Sequence, residues 1–279
     1  MMIDEVRSLI SHSEADAFAQ CEKKHEYAHI QKLQPKTSSL ALNRGTAGHA
    51  MLEKFFELTK AGADLNTAKN EALMNNDLLA GMDMQAVTEA FLLVKPWIEK
   101  VWPTLGWKIV EIEAEFRIPV NESIIYPFKV DLIIEHRGEL KIVDHKFAYD
   151  PYDDNMIALL PQIPRYAGAL RKLGVPIQSG IYNFFRTRKL NNPMDAYVQE
   201  PVEFNDARVE NSLKELVLTM KEIHQRKTLG IEGIRTANKM NCGHCGFSLL
   251  CAKELSGEDT TMMREVDFEP NQYGYKEAE

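Results

Sequence analysis

No apolar run in this 279-residue chain approaches the roughly 20 residues that a helix needs to cross a bilayer, so no membrane role is expected. The opening stretch, MMIDEVRSLISHSEAD, has early acids and lacks the apolar segment of a secretory leader. That points to the cytoplasm, the host's if the chain is viral. Basic residues are also short. Lys and Arg number 33 against 41 Asp and Glu, a net charge of −8, which argues against a protein that coats duplex nucleic acid without specificity. It leaves room for an enzyme that gathers acids around a metal and meets phosphates with local basic residues. The four cysteines are too few to staple a chain of this length, and in a reducing compartment clustered cysteines more often bind metal. Glycine and proline are modest at 15 and 12, and with 44% hydrophobic residues the composition is that of a globular protein with a large core.

What is present centres on Tyr126 to Phe147, YPFKVDLIIEHRGELKIVDHKF. Tyr126, Phe128, Val130, Leu132 and Ile134 alternate with other residues at period two, as do Leu140, Ile142, Asp144 and Lys146, so two strands are expected. His136-Arg137-Gly138-Glu139 is the turn between them, with Gly138 suited to a positive φ. A turn centred on Arg137-Gly138 sets Ile134 opposite Lys141, Leu132 opposite Val143, and Asp131 opposite Asp144. Two facing carboxylates repel, and a divalent cation such as magnesium or manganese would offset that cost. Lys146, two residues past Asp144, joins the same face. Taken singly, this stretch is equally readable as a solvated hairpin with ordinary charges.

Around the hairpin the chain reads as helices and strands in alternation. Residues 11–30 form a helix entered through Ser11 or Ser13, with Phe18, Cys21 and His25 on one face. In the stretch that follows Leu40, Asn43 or Thr46 caps a second helix that continues to about Lys60 and sets His49, Leu52, Glu53 and Phe56 on one face. Residues 61–105 are helical, with Pro96 as a kink, and are expected as a cap over the site. Lys108 to Ile118 opens the sheet and carries Glu113. Gln162 and Tyr166 stand one turn apart on a helix beginning near Pro161. Ile177 to Arg186 is a strand leading into Arg186, Arg188 and Lys189, a phosphate-contacting rim or a solvated loop. Asn205 to Lys227 is a long helix, and the acidic residues 255–279 lack periodicity and read as a frayed tail.

Three cysteines cluster as Cys242-x2-Cys245-x5-Cys251, and Cys21 is the fourth. Such a set can hold a tetrahedral zinc ion or a [4Fe–4S] cluster. A lone Cys21 would read as a small buried hydrophobe; the other three give it partners.

The Asp131…Asp144-x-Lys146 arrangement resembles the PD-(D/E)xK nuclease superfamily. The order of further motifs is similar to its RecB-type, iron–sulfur branch, which includes the AddB nuclease domain and the nucleases of CRISPR adaptation. Gly45-x3-His49, Glu113-x2-Phe116, Gln162-x3-Tyr166 and the cysteine pattern all stand where that branch has them, across roughly residues 15–251. The resemblance implies an α/β, restriction-endonuclease-like core, a central mixed sheet flanked by helices, with a helical cap (about 61–105). It implies one nuclease domain over 1–254 and a cluster on Cys21, Cys242, Cys245 and Cys251, joining segments 15–30 and 240–252; zinc is the alternative. It assigns magnesium or manganese to His49, Asp131, Asp144 and the backbone carbonyl of His145, with Glu113 in support. Lys146 would orient the attacking water and stabilise developing charge, and Gln162 and Tyr166 would seat the phosphate. The implied activity is a DNA exonuclease for single strands or free ends, in recombination, repair or phage DNA processing. An endonuclease or flap nuclease with the same site, or a non-catalytic DNA-binding adaptor, is the alternative. The chain departs from the family at Lys129, where glycine is common two residues before the first acid.

Overall fold

The computed structural model describes residues 7–74 and 79–271. After β1 (Ser8–Leu9), α1 (His12–Gln20) starts at Ser11, whose hydroxyl accepts from the Glu14 N–H. The single helix expected over 11–30 is broken at Cys21, whose backbone is extended (φ −167°, ψ 116°). It restarts as α2 (Glu22–His25) and continues as a π turn over Glu26–Ile30. β2 (Leu33–Pro35) follows, then α3 (Leu40–Lys60), capped by Ser39 rather than by Asn43 or Thr46. α4 (Leu65–Met74) and α5 (Met84–Pro96) lead to a π turn at Trp97–Val101 and the short α6 (Trp102–Leu105). The register change falls directly after Pro96, which has no N–H to donate.

The sheet strands are β3 (Lys108–Pro119), β4 (Ile124–His136), β5 (Glu139–Ala148), β6 (Ile177–Arg186) and β7 (Tyr197–Val202). Between them lie α7 (Asp154–Leu159) and α8 (Gln162–Lys172). The strand order is β1-β4-β5-β6-β7, with β3 also on β4; β4–β5 and β6–β7 are antiparallel and β1–β4 and β5–β6 parallel. The sheet is therefore mixed, as expected. Leu132 pairs with Val143 and Ile134 with Lys141, the register read from the turn. Arg137 (φ 55°) and Gly138 (φ 80°) both take positive φ, the geometry that matches a two-residue turn to strand twist. After β7 come α9 (Asp206–Leu229), α10 (Lys239–Gly243), α11 (Ser248–Leu255), α12 (Thr261–Asp267) and β8 (Phe268–Pro270).

The chain divides into two compact units. One comprises Ser39–Glu115 and Lys129–Leu213. Its core joins Met51, Leu52, Phe55 and Phe56 of α3 to Leu132, Val143 and Phe185 of the sheet. In residues 61–105, of which 75–78 lie outside the described residues, Ala68, Ala72, Ala90 and Val94 bury their small faces in this same core. On α8, Ile163 reaches Gly180 of β6 so closely that a methyl group there would collide with it. That contact holds the start of α8 down on the sheet.

The other unit comprises the chain up to Ser38, Phe116–Phe128, and the chain from Lys214. Tyr27, Phe247, Leu250 and Phe268 form its aromatic core, against which Cys245 and Cys251 pack. The frayed tail expected beyond residue 255 is corrected for its described part: α12 and β8 are regular, and β8 pairs antiparallel with β2. One residue accounts for this. Phe268 stacks on Phe247 at 5.6 Å and is 6% exposed, an anchor that the surrounding acids hid from a periodicity argument. Among the described residues no helix is long and apolar enough to cross a membrane.

Candidate metal centre

Asp131 on β4, Asp144 and Lys146 on β5, His49 on α3 and Glu113 on β3 converge within one unit. His49 reaches the spot because α3 lies hard against β5: Gly48 abuts the Phe147 ring so closely that a side chain there would collide with it. Gly45 faces open space, so Gly48 is the glycine that the packing needs. His49 Nδ1 stands 3.5 Å from Asp131 Oδ2 and 3.9 Å from Glu113 Oε1. One ligand atom from each of the three lies within 4.8 Å of the others, close enough to share a metal ion. Glu113 takes φ 45° in the middle of a strand, a left-handed conformation that costs a β-carbon residue about 1–2 kcal/mol. Its side chain is thereby among the site groups, a local irregularity of the kind that re-aims functional side chains.

Asp144 is 4% exposed. Its Oδ1 accepts from Gln162 Nε2 at 2.8 Å, and its Oδ2 lies 2.7 Å from Lys146 Nζ, an ion pair whose alignment falls short of a hydrogen bond. Lys146 also donates to Gln162 Oε1 at 3.0 Å, so the amide of Gln162 spans both partners. Tyr166, one turn further along α8, is 7% exposed. The backbone N–H of His145 donates to Asp131 Oδ2 at 2.9 Å, while its ring turns the other way. Gln199 Nε2 donates to Asn183 Oδ1, which orients Asn183 Nδ2 onto His145 Nδ1 at 3.0 Å and leaves the proton on Nε2. That ring stacks on Phe56 at 5.5 Å, so the imidazole belongs to the core.

The electrostatics describe a site short of positive charge. Burial, then repulsion from Asp144 and Glu113, pushes Asp131 up to about 7 against the pull of His49. Burial opposes the charged form of His49, yet Asp131, Glu113 and Asp144 outweigh it and raise the ring to about 9. Burial would also raise Glu113, but the neighbouring His49 ring and Lys129 ammonium hold it below the usual carboxylate range. Lys129 Nζ is 2.7 Å from Glu113 Oε2. Sequence reasoning gave Lys129 no role, though its place two residues before Asp131 was a signal: period two sets both on one face of β4. Lys129, Glu53 and Lys146 line the open groove of about 550 Å³ that exposes the site.

The four cysteines all lie in the other unit and line one cavity of about 250 Å³. The Thr236 N–H donates to Cys21 Sγ at 3.4 Å and Arg235 Nε to Cys251 Sγ at 3.2 Å. Burial raises the Cys245 thiol, against a backbone hydrogen bond.

Residues 9–252 match the family profile described as the PD-(D/E)XK nuclease superfamily. The chain belongs to that superfamily. A provisionally named exonuclease from Eubacterium rectale has a similar solved structure, with TM-score 0.51 and 13% identity over 82% of this chain and 84% of that one. At that identity the likeness speaks for the fold alone. SSO0001 (TM-score 0.35, 13% identity, 74% and 84% of the two chains) and VC1899 from Vibrio cholerae (0.22, 12%, 79% and 58%) are too distant to carry an argument. No curated protein matches the chain. As a member of this superfamily the chain is a metal-dependent nuclease, and the His49–Glu113–Asp131 group offers the donors such an ion needs.

Proposed function

We propose that this nuclease is a DNA exonuclease that hydrolyses phosphodiester bonds at single strands or free ends. The observation that carries the reading is the meeting of Asp131, Asp144 and Lys146 beside the His49–Glu113–Asp131 group. His49, Glu113 and Asp131 would hold the magnesium or manganese ion, with Asp144 and the His145 carbonyl as the further oxygen donors expected from the sequence. Such an ion supplies charge neutralisation and a more acidic water. Lys146, held by Asp144 and Gln162, presents an ammonium that orients the nucleophile and stabilises negative charge as it develops on the phosphate. Tyr166, on the helix that supplies Gln162, is assigned to seating the same phosphate.

A second groove, of about 510 Å³, supports a strand-shaped substrate. It carries Arg44, Arg186 and Arg188 around apolar residues that include Leu92 and Tyr197. Arg186 pairs with Ala148, two residues past Lys146 along β5, so at ~3.3 Å per residue it lies about 7 Å further on, the reach of one nucleotide. The guanidinium groups are ion-paired, Arg44 with Glu89 and Arg186 and Arg188 with Asp150, so a backbone would share them with those carboxylates while its bases meet the apolar floor. The name of the Eubacterium rectale neighbour agrees with this mode of action. The test is digestion of end-labelled linear and covalently closed circular single strands with magnesium or manganese. Linear strands should shorten from the end only with metal, and circles should survive. Cut circles would make the enzyme an endonuclease; binding without cleavage would make it an adaptor.

In the same reading Cys21, Cys242, Cys245 and Cys251 hold a [4Fe–4S] cluster with a structural role. N–H groups aimed at Sγ atoms suit thiolates ligating a metal group. Anaerobically purified protein should carry about four iron atoms and as many acid-labile sulfides per chain. Stoichiometric zinc instead would replace the cluster in this account.

A further inference from the structure

The acids around the site do not share their charge evenly. Glu113 turns Oε1 toward His49 and Asp131, while Oε2 is 2.7 Å from Lys129 Nζ. Glu53, one helical turn beyond His49 on α3, lines the same groove as Lys129. Glu53, Glu113 and Lys129 thus border one groove. On the other flank Asp144 already has an ammonium of its own, Lys146 Nζ at 2.7 Å from Oδ2.

Two-ion hydrolysis needs a second cation ~3.5–4 Å from the first, joined to it by a bridging carboxylate. Glu113 is the carboxylate placed for that bridge, and its outward oxygen is already neutralised. We infer that the Lys129 ammonium takes the place of a second divalent cation on Glu113 and Glu53, so that the site holds one ion per chain. The inference rests on the metal assignment proposed above. The lysine stem comes from the same strand face as Asp131, so the fixed charge arrives with the site when β4 folds. A fixed ammonium removes the need to assemble two ions and leaves Lys146 to face the substrate alone.

Metal stoichiometry tests this without turnover. Manganese is titrated into the full-length protein by calorimetry and counted by electron paramagnetic resonance, taking as site-bound only the ions that Glu113→Gln loses. Wild type should bind one ion and Lys129→Arg one. Lys129→Met should bind two, the second of them lost when Glu53→Gln is added. Should Lys129→Met fail to fold by thermal melting, Lys129→Gln takes its place. Two ions in wild type, one in the neutral variant, or a second ion that persists without Glu53 overturns the inference. No ion in wild type overturns it together with the metal assignment.

Discussion

Lys146→Met should slow DNA hydrolysis by about 10²–10³-fold and leave manganese binding intact, the loss expected on removing one preorganised donor from a reacting oxyanion. The methionine keeps the length of the stem and removes only the charge. In the folded protein the ammonium touches Asp144 Oδ2 and Gln162 Oε1; Asp144 is proposed as a further donor to the ion, but the variant keeps that carboxylate and every side chain of the His49–Glu113–Asp131 group. Asp131→Asn makes the contrast, because it takes a carboxylate out of that group and should lose both metal and turnover. Single-turnover rates beside calorimetric titration separate the two effects. A Lys146→Met enzyme with more than a tenth of wild-type activity would remove Lys146 from the chemistry. One that no longer binds manganese would make the lysine a support for the ligand set instead. Because Asp144 is 4% exposed, the variant also leaves a buried carboxylate without its ammonium, a change worth ~3–5 kcal/mol when such a pair is broken. Folding must therefore be checked at the assay temperature before the rates are compared.

The β4–β5 hairpin was legible because two independent signals agreed. Period-two alternation chose the faces, and Arg137-Gly138 chose the turn, so the register from Leu132↔Val143 to Ile134↔Lys141 followed. Gln162 was legible for a related reason, since Pro161 marks the first turn of α8 and thereby aims residue 162. Glu113 was harder. Simple alternation places it among outward glutamates of β3, and only a positive φ in mid-strand changes that, a conformation no local pattern announces for a glutamate. The break at Cys21 is similar. Intrinsic propensity carries a helix through it, but its Sγ accepts from the Thr236 N–H more than two hundred residues away, and such long-range demands override local preference. The ordering of residues 261–270 depends on Phe268 meeting Phe247 and on β8 meeting β2, partners that sequence spacing alone does not supply. The hairpin that carries Asp131 and Asp144 was thus written in short-range pattern, and the ordering of its more distant neighbours in long-range contact.

Acid should destabilise the protein in two steps, and Glu14→Gln should erase the lower one. Glu14 on α1 is buried, 6% exposed, and its carboxylate meets His25 Nε2 at 2.9 Å, Lys227 Nζ at 2.5 Å and His29 Nδ1 at 3.8 Å. Burial alone would raise its pKa, but the His25 bond and the Lys227 and His29 charges lower it to about 2. His29 is also lowered, to about 4, although it faces a carboxylate; burial and the charges of His25 and Lys227 outweigh Glu14. Both shifts have the same sign in linkage, because each folded-state value lies below its unfolded one. The unfolded chain therefore binds more protons, and stability falls as pH falls. His29 contributes between about pH 6.5 and 4, and Glu14 between about 4.5 and 2. At 1.36 kcal/mol per unit, each window is worth about 3 kcal/mol. Glu14→Gln should cost about that much at pH 7, since it strips the buried partner from Lys227, and should flatten the loss below pH 4.5. Urea midpoints from pH 7 to 3, followed by far-ultraviolet circular dichroism, measure both. Fluorescence would be a poor probe, because Trp97, Trp102 and Trp107 all lie in the unit that lacks Glu14. If wild type and Glu14→Gln lost stability in parallel below pH 4.5, the ionised Glu14 would not be what holds α1 to α9.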